Sequence, residues 1–279
     1  MTELKTYLSD GIEYAERAGT GPVLVLLHGI GSNAASFAPL MPYLPIDWRV
    51  VIWNAPGYGQ STPLTGNWPV ASEYAEALLG LFDRLKLNDV LLAGHSLGTL
   101  VAAAFATTYR ERVARLLLAS PALGHGMARG GALSPAAQSR IDDLQAMGPD
   151  AFAASRASRL VYAPDANPDL VARVQRGMAQ VQMPGYGQAA RMLASGRLLD
   201  DAQRLGLPTD VVVGANDRVT PPEGAARAHA ALRPQWRGSY TLLPAAGHAL
   251  YQQDPAGFAA ALNVLTEDAR EGGQMEVTK

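Results

Sequence analysis

The residues of this chain best suited to chemistry sit in a pentapeptide, Gly94-His95-Ser96-Leu97-Gly98, which follows an apolar run and precedes a segment with helical spacing. A strand-to-helix turn this tight forces its apex residue into strained backbone angles. Glycines must flank the apex, because a Cβ there would strike the neighbouring strand or helix. Ser96 Oγ would then stand at the tip of a sheet and at a helix N-terminus, whose dipole favours developing negative charge. A hydroxyl nucleophile needs a base, and the base needs an orienting group. Of the histidines at 28, 95, 125, 229 and 248, His248 closes the small-residue turn Pro244-Ala245-Ala246-Gly247-His248, where a loop can lay its ring over Ser96. Asp217, within Gly214-Ala215-Asn216-Asp217-Arg218-Val219-Thr220-Pro221, is the acid candidate. The three groups fall on strand ends, after the runs at 89–93, 209–213 and 239–243, in the order Ser, Asp, His.

Elements able to position them can be read from patterning. Short β-branched or Leu-rich runs at 11–17, 22–27, 49–54, 89–93, 113–119, 209–213 and 239–243 alternate with longer helical segments, the mark of a parallel sheet with helices on its faces. The runs Val23-Leu24-Val25-Leu26-Leu27 and Val90-Leu91-Leu92-Ala93 lack polar alternation, as central strands covered on both sides do. Helices are predicted at 72–87, 97–109, 223–232 and 255–268. Between 119 and 209 the strand signal stops. That stretch reads as helices broken at Gly130-Gly131, Gly148-Pro149, Ala163-Pro164, Asn167-Pro168 and Met183-Pro184, an insertion standing over one end of the sheet.

Composition narrows the chemistry. With 48% apolar and 17% charged residues over 279 positions, the chain is that of a packed protein with one large core. The absence of cysteine removes disulfides, thiolate metal sites and cysteine nucleophiles. A net charge of −2, with no basic run, gives no field for a nucleic-acid backbone. No signal-peptide pattern opens the chain and no run of apolar residues is long enough to span a membrane, so a cytoplasmic, membrane-free protein acting on a small molecule is expected. Gly29-Ile30-Gly31 is followed by Ala34 where a dinucleotide fold needs a third glycine, and no lysine sits in a Gly-rich loop. No His-x-x-x-His or Glu/His cluster suggests a metal, so neither cofactor nor metal is expected. The sequence leaves monomer or homo-oligomer open.

On these motifs the chain resembles the α/β-hydrolase family along nearly its whole length. His28-Gly29-Ile30-Gly31 is similar to the family's oxyanion loop, and Asn54-Ala55-Pro56-Gly57-Tyr58-Gly59-Gln60-Ser61 to its Asp-x-Pro-Gly-x-Gly-x-Ser loop, with Asn54 where Asp is commoner. The resemblance implies an α/β fold with a mostly parallel central sheet, a core of residues 1–121 and 207–270 and a helical cap at 122–206; the residues from Glu271-Gly272-Gly273 on read as a flexible tail at 271–279. It implies catalysis by Ser96, His248 and Asp217: serine attacks a carbonyl carbon, histidine takes its proton, and aspartate fixes the imidazole tautomer. The backbone N–H groups of Ile30 and Leu97 would bind the oxyanion. His28 reads as a brace for its loop. Serine at the apex, where haloalkane dehalogenases and epoxide hydrolases place aspartate, selects carbonyl chemistry.

The insertion bears on substrate. Gly29, His95, Met127, Met178 and Met183 are candidate substrate contacts, the methionines as an adaptable apolar roof. Residues 125–200 hold eight arginines against six aspartates and no glutamates, an excess that suits an acidic ester or lactone of small to medium size. Carbon–carbon hydrolases of ring-cleavage products usually carry Gly-Pro-Gly in the oxyanion loop and Trp after the catalytic histidine. Here the loop reads Gly29-Ile30-Gly31-Ser32-Asn33-Ala34 and Ala249 follows His248, which favours ester or lactone hydrolysis over carbon–carbon cleavage, with amide hydrolysis as an alternative. A ligand receptor on the same fold is the non-enzymatic alternative.

Overall fold

The structure, a computed structural model, describes residues 3–262. Its centre is an eight-stranded sheet of β1 (Lys5–Ser9), β2 (Ile12–Arg17), β3 (Val23–Leu27), β4 (Arg49–Trp53), β5 (Val90–His95), β6 (Val113–Ala119), β7 (Thr209–Gly214) and β8 (Arg237–Leu243). The spatial order is β1-β2-β4-β3-β5-β6-β7-β8; β2 pairs antiparallel with both its neighbours, β1 and β4, and the other pairs are parallel. The chain runs outward from β3 to β4 and then crosses back to β5. Reversal of strand order at β3 and β5 opens a crevice beyond their carboxyl ends, where α/β sheets bind ligands.

The central strands are apolar on both faces because both are covered. Val25, Leu27, Val51 and Leu92 join the core packed by α1 (Ala71–Leu85) and α2 (Gly98–Thr108), while Leu24, Leu26, Val50 and Leu91 join a second core with Phe37, Tyr251 and Phe258. Edge strand β1 escapes the sequence pattern: its burial is exposed almost throughout, so it has no apolar run to betray it.

Between β6 and β7 the described residues contain helices and no strand: α3 (Pro135–Arg156), α4 (Pro168–Met178), α5 (Gly185–Ser195) and α6 (Leu198–Arg204). Their breaks fall at the Gly/Pro signals. Gly148 interrupts α3 with φ 75°, and Pro168 opens α4 at a position that needs no N–H donor. Helix α7 (Pro222–Ala231) returns to the sheet, α8 (Leu250–Gln253) follows His248, and a last helix occupies 255–262. The remainder of the helix expected at 255–268 and the tail at 271–279 lie outside the described residues. Among the described residues no helix is long and apolar enough to cross a membrane.

Candidate active site

Ser96 stands between the end of β5 and the start of α2 with φ 52°, a left-handed conformation that a non-glycine residue adopts only when its surroundings impose it. Three backbone bonds do so: Ser96 N–H donates to the Ala119 carbonyl at 2.9 Å, and the Ser96 carbonyl accepts from Thr99 N–H at 3.0 Å and Ala122 N–H at 3.3 Å. The Thr99 hydroxyl adds a fourth, 2.6 Å from the same carbonyl. A Cβ on Gly94 would lie 2.5 Å from the Gly98 carbonyl oxygen, and one on Gly98 2.5 Å from that of Leu27 in β3. The elbow therefore has room for glycine alone on both sides of the serine.

Asp217 and His248 meet beside it. Asp217 lies in the turn after β7, His248 in the loop after β8, and His248 Nδ1 donates to Asp217 Oδ2 at 2.8 Å. The other carboxylate oxygen, Oδ1, accepts from Val219 N–H at 2.8 Å and Thr220 N–H at 2.9 Å. Burial opposes ionisation of Asp217, but the His248 charge and the hydrogen bonds from His248 and the Thr220 amide outweigh it, bringing the carboxyl down to about 2. Thr220 is the residue that motif reading passes over. Its hydroxyl lies 2.9 Å from the Ser120 carbonyl, 3.0 Å from Asp217 Oδ2 and 3.2 Å from His248 Nδ1, tying the acid turn to the end of β6. The sequence signal was available: an Asp followed three residues later by Thr in a turn favours side-chain to backbone bonding.

A cavity of about 470 Å³ joins these groups: Ser96 and His248 line it together with Gly29, Ile30 and His95. Among the described residues Ser96 Oγ and His248 Nε2 do not hydrogen-bond, and such contacts commonly tighten only when substrate binds. The Ile30 amide faces no acceptor among the described residues, and neither does that of Leu97, which is 4% exposed and outside the cavity lining. The Tyr58 hydroxyl donates to the Ile30 carbonyl at 2.6 Å, which fixes that peptide in the loop after β3. Of the three methionines singled out, Met178 lines the cavity. Met127 and Met183 do not; Met183 is 37% exposed and its thioether packs beside Gly187.

His125 lines the cavity as well, and two further histidines near the site are structural in their bonding. His28 Nε2 accepts from Ala55 N–H at 3.0 Å and Nδ1 donates to the Gly29 carbonyl at 2.8 Å, bracing the loop against the segment after β4. His95 Nε2 donates to the His248 carbonyl at 2.8 Å, linking the elbow to the His248 loop. Burial holds His28 at about 4; burial and the neighbouring His248 hold His95 at about 3. Both rings are therefore neutral in the fold, and an acid-sensitive stability follows. In the unfolded chain each ring gains a proton near 6.5. Above that value the rings contribute nothing to pH dependence. Below it the unfolded state binds more protons, and stability falls by roughly 1.4 kcal/mol per pH unit for each ring until about pH 4 for His28 and 3 for His95. Urea midpoints between pH 7.5 and 5 should show this loss, and His28→Gln should remove about half of the histidine part; an unchanged slope would count against it.

Asn54 occupies a position where the motif more often has Asp, and its neighbours explain it. Its Oδ1 accepts from Ala34 N–H at 2.7 Å while its Nδ2 donates to Glu13 Oε1 at 2.6 Å. A carboxylate there would face Glu13 with like charge. Among the described residues no group of three or more His, Asp or Glu is placed to hold a metal.

A sheet of this order, carrying a serine on a strained elbow beside a histidine–aspartate pair, defines the α/β-hydrolase class. Residues 22–255 match the family model described as alpha/beta hydrolase fold, and the chain belongs to that family. It is similar to 3-oxoadipate enol-lactonase 2 of Acinetobacter baylyi (strain ATCC 33305 / BD413 / ADP1), with 24% identity over 202 residues covering 71% of this chain and 73% of that protein. A thermophilic esterase from Thermogutta terrifontis, solved with malate bound, shares 26% identity at a TM-score of 0.80 over 95% of this chain and 97% of its own. The enol-lactonase from Burkholderia xenovorans LB400 shares the fold, with a TM-score of 0.81 at 22% identity over 94% of this chain and 100% of its own.

Proposed function

We propose that this protein hydrolyses a carboxylic ester or lactone of small to medium size through an acyl-enzyme on Ser96. The observation that carries the reading is the 2.8 Å bond from His248 Nδ1 to Asp217 in the same crevice as a serine held at φ 52°. With Nδ1 protonated, His248 Nε2 has a free lone pair to take the Ser96 proton as Oγ attacks the carbonyl carbon. The oxyanion of the tetrahedral intermediate is bound by the Ile30 and Leu97 amides. Collapse breaks the bond to the leaving alkoxide, to which His248 returns the proton. Water then attacks the acyl carbonyl with His248 again as base, releasing the acid and restoring Ser96. The helices between β6 and β7 serve as the cap that closes the cavity from above. Similarity to an esterase and an enol-lactonase supports ester chemistry over other reactions of the fold.

A panel of aryl esters, lactones, amides and a vinylogous 1,5-diketone tests this, with labelling by an organophosphonate. Esters or lactones should be the fastest substrates and the label should map to Ser96. Faster turnover of the diketone would move the assignment to carbon–carbon hydrolysis. Ligand binding with neither turnover nor labelling would make the protein a receptor.

A further inference from the structure

The cavity wall supplied by the helices between β6 and β7 is one-sided in charge. Arg140 and Arg156 of α3, Arg159 in the 3-10 turn after it, and Arg173 and Arg176 of α4 all line the cavity, and among the described residues no aspartate or glutamate does. Arg156 pairs with Asp143 at 2.5 Å; the other four make no ion pair among the described residues. The five fall into two tiers. Arg140 and Arg156 are half-buried, whereas Arg159, Arg173 and Arg176 are exposed.

The inner tier is built around a buried polar atom. Tyr186, 2% exposed, lines the cavity, and both inner guanidinium groups bear on its hydroxyl. Arg156 is held with Cζ 4.5 Å from the Phe152 ring centroid, and its buried Nε–H has no acceptor. Asp143 offsets one of the two inner charges, which leaves one net positive charge beside an apolar wall that includes Phe152, Leu193 and Val219. In the outer tier Arg173 and Arg176 stand three residues apart on one helix face, an arrangement in which like charges repel unless an anion separates them. A cleft lined by one sign of charge concentrates ligands of the opposite sign.

We infer that the substrate carries a carboxylate remote from its scissile carbonyl, held by Arg140 and Arg156 and drawn in by Arg159, Arg173 and Arg176. This rests on the hydrolase reading for the scissile bond, not for the anion. A guanidinium fork accepts carboxylate or phosphate alike. The single net charge of the inner pair matches a carboxylate better than a dianionic phosphate.

The test compares mono-4-nitrophenyl glutarate with 4-nitrophenyl valerate, in which a methyl group replaces the carboxylate, and adds thermal-shift binding of glutarate and inorganic phosphate at equal ionic strength. The glutarate ester should have the higher kcat/KM by about tenfold or more at low salt, the scale of one charge-assisted hydrogen bond. That ratio should fall several-fold in 0.5 M NaCl, through loss of steering by the exposed arginines. Arg140→Gln should lower the ratio about tenfold, mainly through KM, with partial recovery in Arg140→Lys. Arg173→Gln/Arg176→Gln should flatten the salt dependence, and Arg227→Gln, on α7 outside the cavity, should leave the ratio as it was. A wild-type ratio near one, with valerate turned over, overturns the carboxylate site and leaves the hydrolase standing. Failure of both esters, with glutarate still raising the melting temperature above phosphate, supports the carboxylate site and overturns the hydrolase. Stronger stabilisation by phosphate than by glutarate overturns the carboxylate assignment.

Discussion

Ser96→Ala is expected to lower kcat for an activated aryl ester by about 10⁴ to 10⁶-fold and to abolish organophosphonate labelling. The oxygen removed is the atom that would form the acyl bond, and the one hydroxyl beside it, that of Thr99, is committed to the Ser96 carbonyl at 2.6 Å. Binding should persist, because the Ile30 and Leu97 amides and the arginine-lined wall are untouched, so an unreactive substrate analogue should bind within a few-fold of wild type. Backbone strain allows a check that separates chemistry from structure. Alanine keeps the Cβ that makes φ 52° costly, whereas glycine adopts this conformation freely. Ser96→Gly should therefore be as inactive as Ser96→Ala and more stable than it by roughly 1 kcal/mol, measured by urea unfolding. Residual turnover within tenfold of wild type in either variant, with a pure preparation, would remove Ser96 from the reaction.

The sheet was legible because its central strands are apolar on both faces, and a run such as Val23–Leu27 states its environment directly. What patterning missed was set by tertiary context. Strand β1 pairs along a solvent-facing edge and buries little, and Tyr7 is held by stacking on Tyr14 across the hairpin at a centroid distance of 5.4 Å. The elbow could be read because its steric limits, Gly94 against Gly98 and Gly98 against Leu27 of β3, leave glycines at fixed places in one five-residue motif. The convergence of arginines could only be counted. Composition does not say which side of a helix meets the cavity, and Arg129, Arg191 and Arg197 lie outside its lining while five others are within it. The same holds for methionine: Met178 lies on the inner face of α4, whereas Met183 precedes α5 and is largely outside. Asn54 was legible as a departure from the motif, but its reason, Glu13, lies far back in the sequence on β2.

Asp217→Asn should cost about 10⁴ in kcat while leaving the fold intact, and the hydrogen bonds around the carboxylate say why. Oδ1 accepts from two backbone amides, Val219 and Thr220, so an asparagine must keep its carbonyl oxygen there. Its NH₂ group is then placed where Oδ2 now accepts from His248 Nδ1. Two donors cannot share that contact, and the ring responds by moving its proton to Nε2, leaving Nδ1 as acceptor. In that tautomer His248 presents an N–H to Ser96 and cannot act as its base. Nitrogen-15 shifts of His248 should show protonated Nδ1 in wild type and protonated Nε2 in the variant; an unchanged tautomer, or a loss of less than tenfold, would refute the argument. Stability offers an independent reading of the same carboxylate. Its folded value of about 2 lies below the unfolded 3.8, so its contribution is present above that upper value and is lost as pH falls through 2. The stability gap between wild type and Asp217→Asn should therefore close across that window, while the gap in activity at neutral pH remains.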